Sequence, residues 1–360
     1  MKTYITALKG IAILGVILVH APLLIEGISP YIMQICKPGQ LGCQLFFIIS
    51  GYLMIHSWEK LSSLSLSFCQ KYWLFIRKRY FSLAPIYIIS IIFYQILSYI
   101  STDCLHVDFF YRIVHNPLSI ILNIFLLNGL DVLYFNRIVP GGWYIGVIML
   151  FYIMLPFIYE LYHHLIDKLK NSIYFIPIFF TLLSFAIQAI VALSYRTWDY
   201  SDRGTFLNYS IINQLPCMMV GISIAFKEKR SGLYARRNVM KLIITSFIAL
   251  LYYYLFRNYG LAQIFQPIIV SIPFCYLFIY MKTNFSSIPQ LIANFLTHWG
   301  ELSFAAYFTN FLGTMMFAWI ITLLFSIDRP NLLFLILIIP MYIITYYLAK
   351  PLNKFIKVLR

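Results

Sequence analysis

The sequence is short of charge, and shortest of negative charge. Of its 360 residues 11% are charged, where a soluble globular domain carries about 25%. Asp and Glu together number 12, and each of them falls at the end of an apolar stretch or between two stretches. A cation pump or cation-coupled transporter needs a carboxylate at membrane depth to hold its ion. The sequence offers none, which argues against that class. The 6 cysteines (Cys36, Cys43, Cys69, Cys104, Cys217 and Cys275) form no C-x-x-C pair and no Cys/His metal spacing, so no metal is expected. Cys36 and Cys43 leave two readings, a disulfide across a loop in an oxidising compartment or ordinary packing. There is no Walker loop, no GxGxxG and no EF-hand. Alternation of apolar and polar residues is missing as well, as in "SIIFYQILSYI" (90–100), which excludes an outer-membrane barrel.

What is abundant is apolar sequence, 61% of the chain. Stretches near the roughly 20 residues that a bilayer-spanning helix needs recur along the whole length. They centre on residues 5–25, 40–57, 80–101, 117–130, 143–162, 173–194, 207–226, 239–256, 263–281, 301–325 and 332–349. The expected fold class is therefore all-α, a polytopic membrane protein. The polar connections are too short to be domains, so one membrane domain over 1–360 is expected, with no soluble appendage. A signal peptide is the other reading of the first run, but no A-x-A-type cleavage site follows it and His20 interrupts it.

Positive charge decides how many of the eleven stretches cross. The formal net charge is +15, and the Lys and Arg lie in the connections, where membrane topology explains them without a nucleic-acid partner. If all eleven crossed from a cytoplasmic N-terminus, the most basic connection, "KEKRSGLYARRNVMK" (227–241), would fall outside. The fourth stretch, "PLSIILNIFLLNG", is short, opens with Pro117 and carries Asn123 and Asn128. If it dips in near 117–130 and returns, 227–241 becomes cytoplasmic, as do Lys350, Lys354, Lys357 and Arg360. Of the 27 Lys and Arg, about 20 then lie inside, the sense of the positive-inside rule. The expectation is about ten transmembrane helices plus a re-entrant segment, with both termini cytoplasmic. A re-entrant backbone must be shielded by protein or line a cavity.

Within "ALKGIAILGVILVH" (7–20), Lys9 and His20 bracket ten residues without another ionisable group. Eleven helical positions turn through about 1100° and rise about 16 Å, so the two share one helix face. Lys9 alone reads equally as a cation snorkelling to headgroups, and His20 alone as a packing histidine. Together they suggest two ends of a passage. Other features have the same double character. Arg77, Lys78 and Arg79 in "FIRKRYFSLAP" read as a topology anchor or as a clamp for a polyanion such as coenzyme A. Ser50 and Gly51 in "LFFIISGYL" allow close helix contact. Trp143 and Tyr152 in "GGWYIGVIMLFY" read as an interfacial aromatic belt or as part of a substrate cavity. His163 and His164 follow a span end and read as interfacial.

These residues resemble acyltransferase family 3, the membrane proteins that O-acylate cell-envelope polysaccharides. "LKGIAILGVILVH" is similar to that family's opening motif, a Lys or Arg, ten residues, then His. "GCQLFFIISGYL", "FIRKRYFSLAPIY", "GGWYIGVIMLFYIMLP", "QLPCMMVGISIAF", "WGELSFAAYFTN" and "YYLAKPLNKFIK" resemble its later elements, in order. Some positions depart. Ser82 stands where a second Arg is usual, Ile148 and Met149 replace an acidic pair, Asn310 stands where many members have His, and Ala349 where many have Glu. The resemblance implies an acyltransferase of the bacterial cytoplasmic membrane. Its donor is acyl-CoA, normally acetyl-CoA, taken from the cytoplasm and held by Arg77, Lys78 and Arg79. Its acceptor is a sugar hydroxyl on a glycan or lipid-linked precursor, with membrane lipids around the protein. His20 is implied as general base, or as a transient acyl carrier, with Lys9 at the donor end. With no buried carboxylate nearby, the second imidazole nitrogen needs an uncharged partner, and Ser50, Tyr307 and Asn310 are the candidates, Asn310 first. A lipid or glycan flippase and a non-catalytic scaffold are the rival classes, and neither needs the Lys–His pair.

Overall fold

The computed structural model describes residues 2–25, 27–100, 115–168, 172–195, 207–231, 238–256, 260–324 and 329–359. No strand occurs among them. The helices are α1 (Thr3–His20), α2 (Pro30–Cys36), α3 (Gly42–Ser62), α4 (Phe68–Tyr99), α5 (Pro117–Ile124), α6 (Trp143–Lys168), α7 (Ser172–Tyr195), α8 (Ile211–Ser231), α9 (Asn238–Phe256), α10 (Gly260–Asn284), α11 (Gln290–Leu324) and α12 (Pro330–Leu359). Short 3₁₀ turns link several of them. Among the described residues, 8 helical stretches are long and apolar enough to cross a membrane: α1, α2 with α3, α4, α6, α8, α9, α10 and α12. This is a multi-pass, all-helical membrane protein. α7 and α11 are further long helices, of 24 and 35 residues.

The chain divides into two compact units, Met1–Phe46 with Asn284–Arg360, and Phe47–Thr283. In the first unit α1 is the centre. Ile5, Ala7, Leu8, Ala12, Ile13, Val16 and Ile17 are all buried, and its most extensive packing is against α11. Glycine makes that contact close. A Cβ on Gly10 would run into the Leu296 carbonyl and one on Gly300 into the Thr6 carbonyl, so both helices need a bare Cα where they meet. Thr6 and Gly10 meet Leu296 and Gly300, and ten residues further along each helix His20 meets Asn310. The two helices therefore run parallel. α12 runs back against both: Tyr342 Oη donates to the Leu14 carbonyl at 2.9 Å, and His298 Nε2 lies 2.8 Å from Tyr346 Oη. The start of α1 and the end of α12 thus lie at the same end of this unit. Its other end is closed by a cluster in which Ala21, Ile25, Ile28 and Cys36 pack on Leu333, Phe334, Leu337 and Met341. Cys36 and Cys43 are both buried thiols, so packing rather than a disulfide explains them.

The second unit is built around α3, α4, α6 and α8. Gly51 of α3 lies against the Met218 carbonyl of α8, and Gly221 of α8 against the Ile48 carbonyl of α3. α4 starts at a capping box, in which the Ser67 hydroxyl accepts from the Gln70 amide at 3.3 Å and the Gln70 side chain accepts from the Ser67 amide at 3.0 Å. That start lies twelve residues ahead of the expected apolar segment at 80. Arg77, Lys78 and Arg79 therefore sit inside α4 rather than at its first turn, because capping and not hydropathy sets where a helix begins.

The fourth apolar stretch forms α5, 8 residues long. At 1.5 Å per residue that is about 12 Å, well short of the roughly 30 Å hydrocarbon core. It ends in a Schellman pattern, with the Leu127 amide on the Leu122 carbonyl at 2.7 Å and the Leu126 amide on the Asn123 carbonyl at 3.0 Å. Leu126 occupies the left-handed position usually given to glycine, φ 59°, and is fully buried. A side chain held there costs on the order of 1 kcal/mol or more and persists because its surroundings fix it. The two asparagines noted in the sequence are what hold the segment. Asn123 Oδ1 accepts from Tyr87 Oη of α4 at 2.5 Å. Asn128 Nδ2 donates to the carbonyls of Phe135 and Gly142, both at 3.0 Å. The rest of the expected outward connection, 101–114, lies outside the described residues.

Candidate active site

α1 carries its cation and its imidazole as the pattern anticipates. Lys9 is half-buried one residue before the Gly10 crossing, and His20 is the last residue of the helix. The α-helix stops there because Pro22 follows in a 3₁₀ turn (Ala21–Leu24). Proline offers no N–H to the carbonyl four residues back, so the α-helical ladder ends there although Ala21 itself keeps right-handed helical geometry.

His20 Nδ1 lies 2.7 Å from Asn310 Oδ1. Asn310 is buried on α11, and its Nδ2 donates to the carbonyls of Ala306 at 3.1 Å and Tyr307 at 2.6 Å. Those two carbonyls settle the orientation of the amide, since the reverse assignment would set oxygen against oxygen twice. Oδ1 is therefore an acceptor, and the imidazole nitrogen facing it must carry the proton. In neutral imidazole the other nitrogen, Nε2, then holds the lone pair. Phe311 packs on the ring with centroids 4.1 Å apart. The neutral imidazole is thus held in one tautomer by an amide. Of the three partners considered for the second nitrogen, Asn310 is the one in contact. Tyr307 takes part through its carbonyl oxygen, and its ring lies edge-on to Phe308.

The remaining candidates lie in the second unit. Arg79 of α4 is half-buried and donates to Ser57 Oγ of α3. Its guanidinium faces the ring of Phe75 at 5.2 Å and that of Tyr152 at 6.0 Å. Tyr152 of α6 is thus brought to Arg79. Arg77 and Lys78 are exposed. Ser82, at the position of the missing second Arg, donates to the Arg79 carbonyl at 2.8 Å. Trp143 opens α6, buried against Tyr209 at 4.6 Å and Phe47 at 6.0 Å. Ser50 is half-buried beside Gly51 in α3. Ile148 and Met149, which stand where acids were anticipated, are buried, as is Ala349 of the first unit.

Sequence reasoning missed a charged brace in this unit. Glu59 of α3 pairs with Lys229 of α8, and Glu228 of α8 pairs with Lys282 of α10. Glu228 also accepts from Tyr52 Oη at 2.5 Å, and His56 Nδ1 lies 3.6 Å from Glu59. Apart from His56 and Glu59, neighbours at i,i+3 on α3, the partners are more than fifty residues apart in sequence and share no spacing. The one available signal was a carboxylate at the end of each of two apolar runs. No group of three or more His, Cys, Asp or Glu placed to hold a metal ion occurs among the described residues.

Compared with known families, the chain matches the acyltransferase domain family (acyltransferase family 3) over residues 2–350. No curated protein matches it, and no solved structure does. The chain belongs to that acyltransferase family and is a membrane acyltransferase.

Proposed function

We propose that this membrane acyltransferase moves an acetyl group from cytoplasmic acetyl-CoA to a sugar hydroxyl of a cell-surface polysaccharide or of its lipid-linked precursor, in the bacterial cytoplasmic membrane. The observation that carries the reading is the imidazole of His20, locked by Asn310 with its proton on Nδ1. Nε2 takes the proton of the acceptor hydroxyl as its oxygen bonds to the acyl carbon. The carbon–sulfur bond breaks, coenzyme A leaves as thiolate, and the proton on Nε2 passes to that sulfur. A positioned base of this kind contributes typically 10²–10⁴-fold. A neutral imidazole suits the task because the lone pair on Nε2 can accept a proton and give it up again.

The donor is a polyanion, and Arg79, Arg77 and Lys78 are its clamp through charge-assisted hydrogen bonds. Arg79 is preset by Ser57 and two aromatic rings, while Arg77 and Lys78 add charge from the surface. Lys9 is assigned to the donor end of the Lys–His face on α1. Trp143, Tyr152 and Ser50 are assigned to the substrate path in the second unit, and Tyr307 to the surroundings of His20 in the first.

The protein crosses the membrane ten times, with both termini cytoplasmic and 117–130 re-entrant. Three observations support this topology: the distribution of Lys and Arg, the shared end of α1 and α12, and the buried amides that anchor a helix too short to span. A Ser231→Cys variant should resist an impermeant thiol reagent applied to intact cells. Labelling there would refute the topology.

Purified protein given radiolabelled acetyl-CoA should transfer label to an added glycan extract and release free coenzyme A. Glycan movement across vesicles without labelled product would identify a flippase instead.

A further inference from the structure

α12 is longer than the membrane it enters. Its 30 residues span about 45 Å, against a hydrocarbon core of roughly 30 Å. Counted from Pro330, Lys350 lies about 30 Å along the axis, with Lys354 about 6 Å and Lys357 about 10 Å beyond it. All three are exposed, and spacings of four and three place them on one face. α12 contains no acidic residue. The acid on the adjacent α11 is Glu301, and the His298–Tyr346 contact sets it level with about residue 343, some 10 Å short of Lys350.

The same depth is apolar and uncovered. Phe355 and Val358 are 46% and 78% exposed on α12. The antiparallel register brings the first turns of α11 to the level of residues 349–354, and there Leu291, Ile292 and Phe295 are exposed. Pro351 lies inside α12, where it removes one hydrogen bond of the helix ladder and favours a bend of the last two turns. Lysines on one side of a helix with bulky apolar groups beside them, at headgroup depth, match a surface that lies in an anionic leaflet.

We infer that this end of the first unit, made by Lys350, Lys354 and Lys357 with the exposed apolar residues of α11 and α12, is a docking surface for anionic phospholipids. The lysines meet the headgroup phosphates, and Leu291, Phe295, Phe355 and Val358 enter the upper acyl chains. The surface is independent of the acyl-transfer reading.

The test uses the full chain in phosphatidylcholine vesicles carrying a minor fraction of spin-labelled phosphatidylglycerol or spin-labelled phosphatidylcholine. Electron paramagnetic resonance reads how much of each probe the protein immobilises. Wild type should hold phosphatidylglycerol several-fold more strongly. K350Q/K354Q/K357Q should lose several-fold of that preference, at most about five-fold per lysine. K350R/K354R/K357R should keep it, and millimolar inorganic phosphate should leave it intact. An unchanged preference in the glutamine variant would overturn the proposal. So would displacement of the labelled lipid by inorganic phosphate, which would mark a site for the free ion.

Discussion

Two regions of this molecule bury an asparagine in the same manner and use it differently. Asn310 and Asn128 each turn their amide nitrogen to two backbone carbonyls. In the 117–146 region the amide oxygen of Asn128 has no hydrogen-bond partner among the described residues and faces Gly146, whose Cβ, were there one, would come within 2.7 Å of it. That amide is a clasp that ties α5 and its following loop to α6. On α11 the equivalent oxygen is given to an imidazole. Fixing an amide with its nitrogen leaves one directed acceptor, and what stands opposite decides whether the residue holds a fold or sets a tautomer. Removing the two asparagines should therefore damage different quantities.

The largest effect is expected where the acceptor meets chemistry. His20→Ala should lower acyl transfer by about 10²–10⁴-fold at matched membrane abundance, with insertion intact because the helix becomes more apolar. On the other side of the comparison, Asn128→Leu strands the carbonyls of Phe135 and Gly142. It should cost roughly 1–3 kcal/mol of stability, read as a lower melting temperature in detergent, while turnover per folded molecule stays near wild type. A large turnover loss with unchanged melting would make Asn128 a site residue and erase the contrast. Arg79→Gln should raise the donor KM about ten-fold, the equivalent of 1.4 kcal/mol, and Arg77→Gln should raise it less, being exposed. Smallest is Lys9→Arg, which keeps the cation and should leave the donor KM within about two-fold, whereas Lys9→Ala should weaken donor binding by the share of a single charge, about 1 kcal/mol or somewhat more.

Sequence made the helical class legible because apolar runs of membrane length are long-range composition and need no partner. The Lys9–His20 face was legible because helical spacing is local. Asn310 was one of three uncharged candidates, with Ser50 and Tyr307, named once the family resemblance had given His20 its role, and spacing alone did not choose among them. What stayed hidden depends on contacts that no spacing encodes. The Glu59–Lys229 and Glu228–Lys282 pairs join helices far apart in the chain. The start of α4 at Phe68 rests on a capping box in a polar stretch. The left-handed Leu126 sits where a reader looks for glycine. Ile148, Met149 and Ala349 are apolar where the family pattern has acids. All three are buried.

The central claim is that Asn310 acts through His20, and a double-mutant cycle tests it most directly. Acyl transfer is measured for wild type, His20→Ala, Asn310→Ala and the double variant at equal membrane abundance. Asn310→Ala alone should cost about 5- to 150-fold, the equivalent of 1–3 kcal/mol for an unsatisfied buried partner. In the His20→Ala background the same substitution should cost almost nothing further, since the tautomer it fixes is gone. Equal losses in both backgrounds would show that the asparagine works independently of the histidine, and would contradict the account.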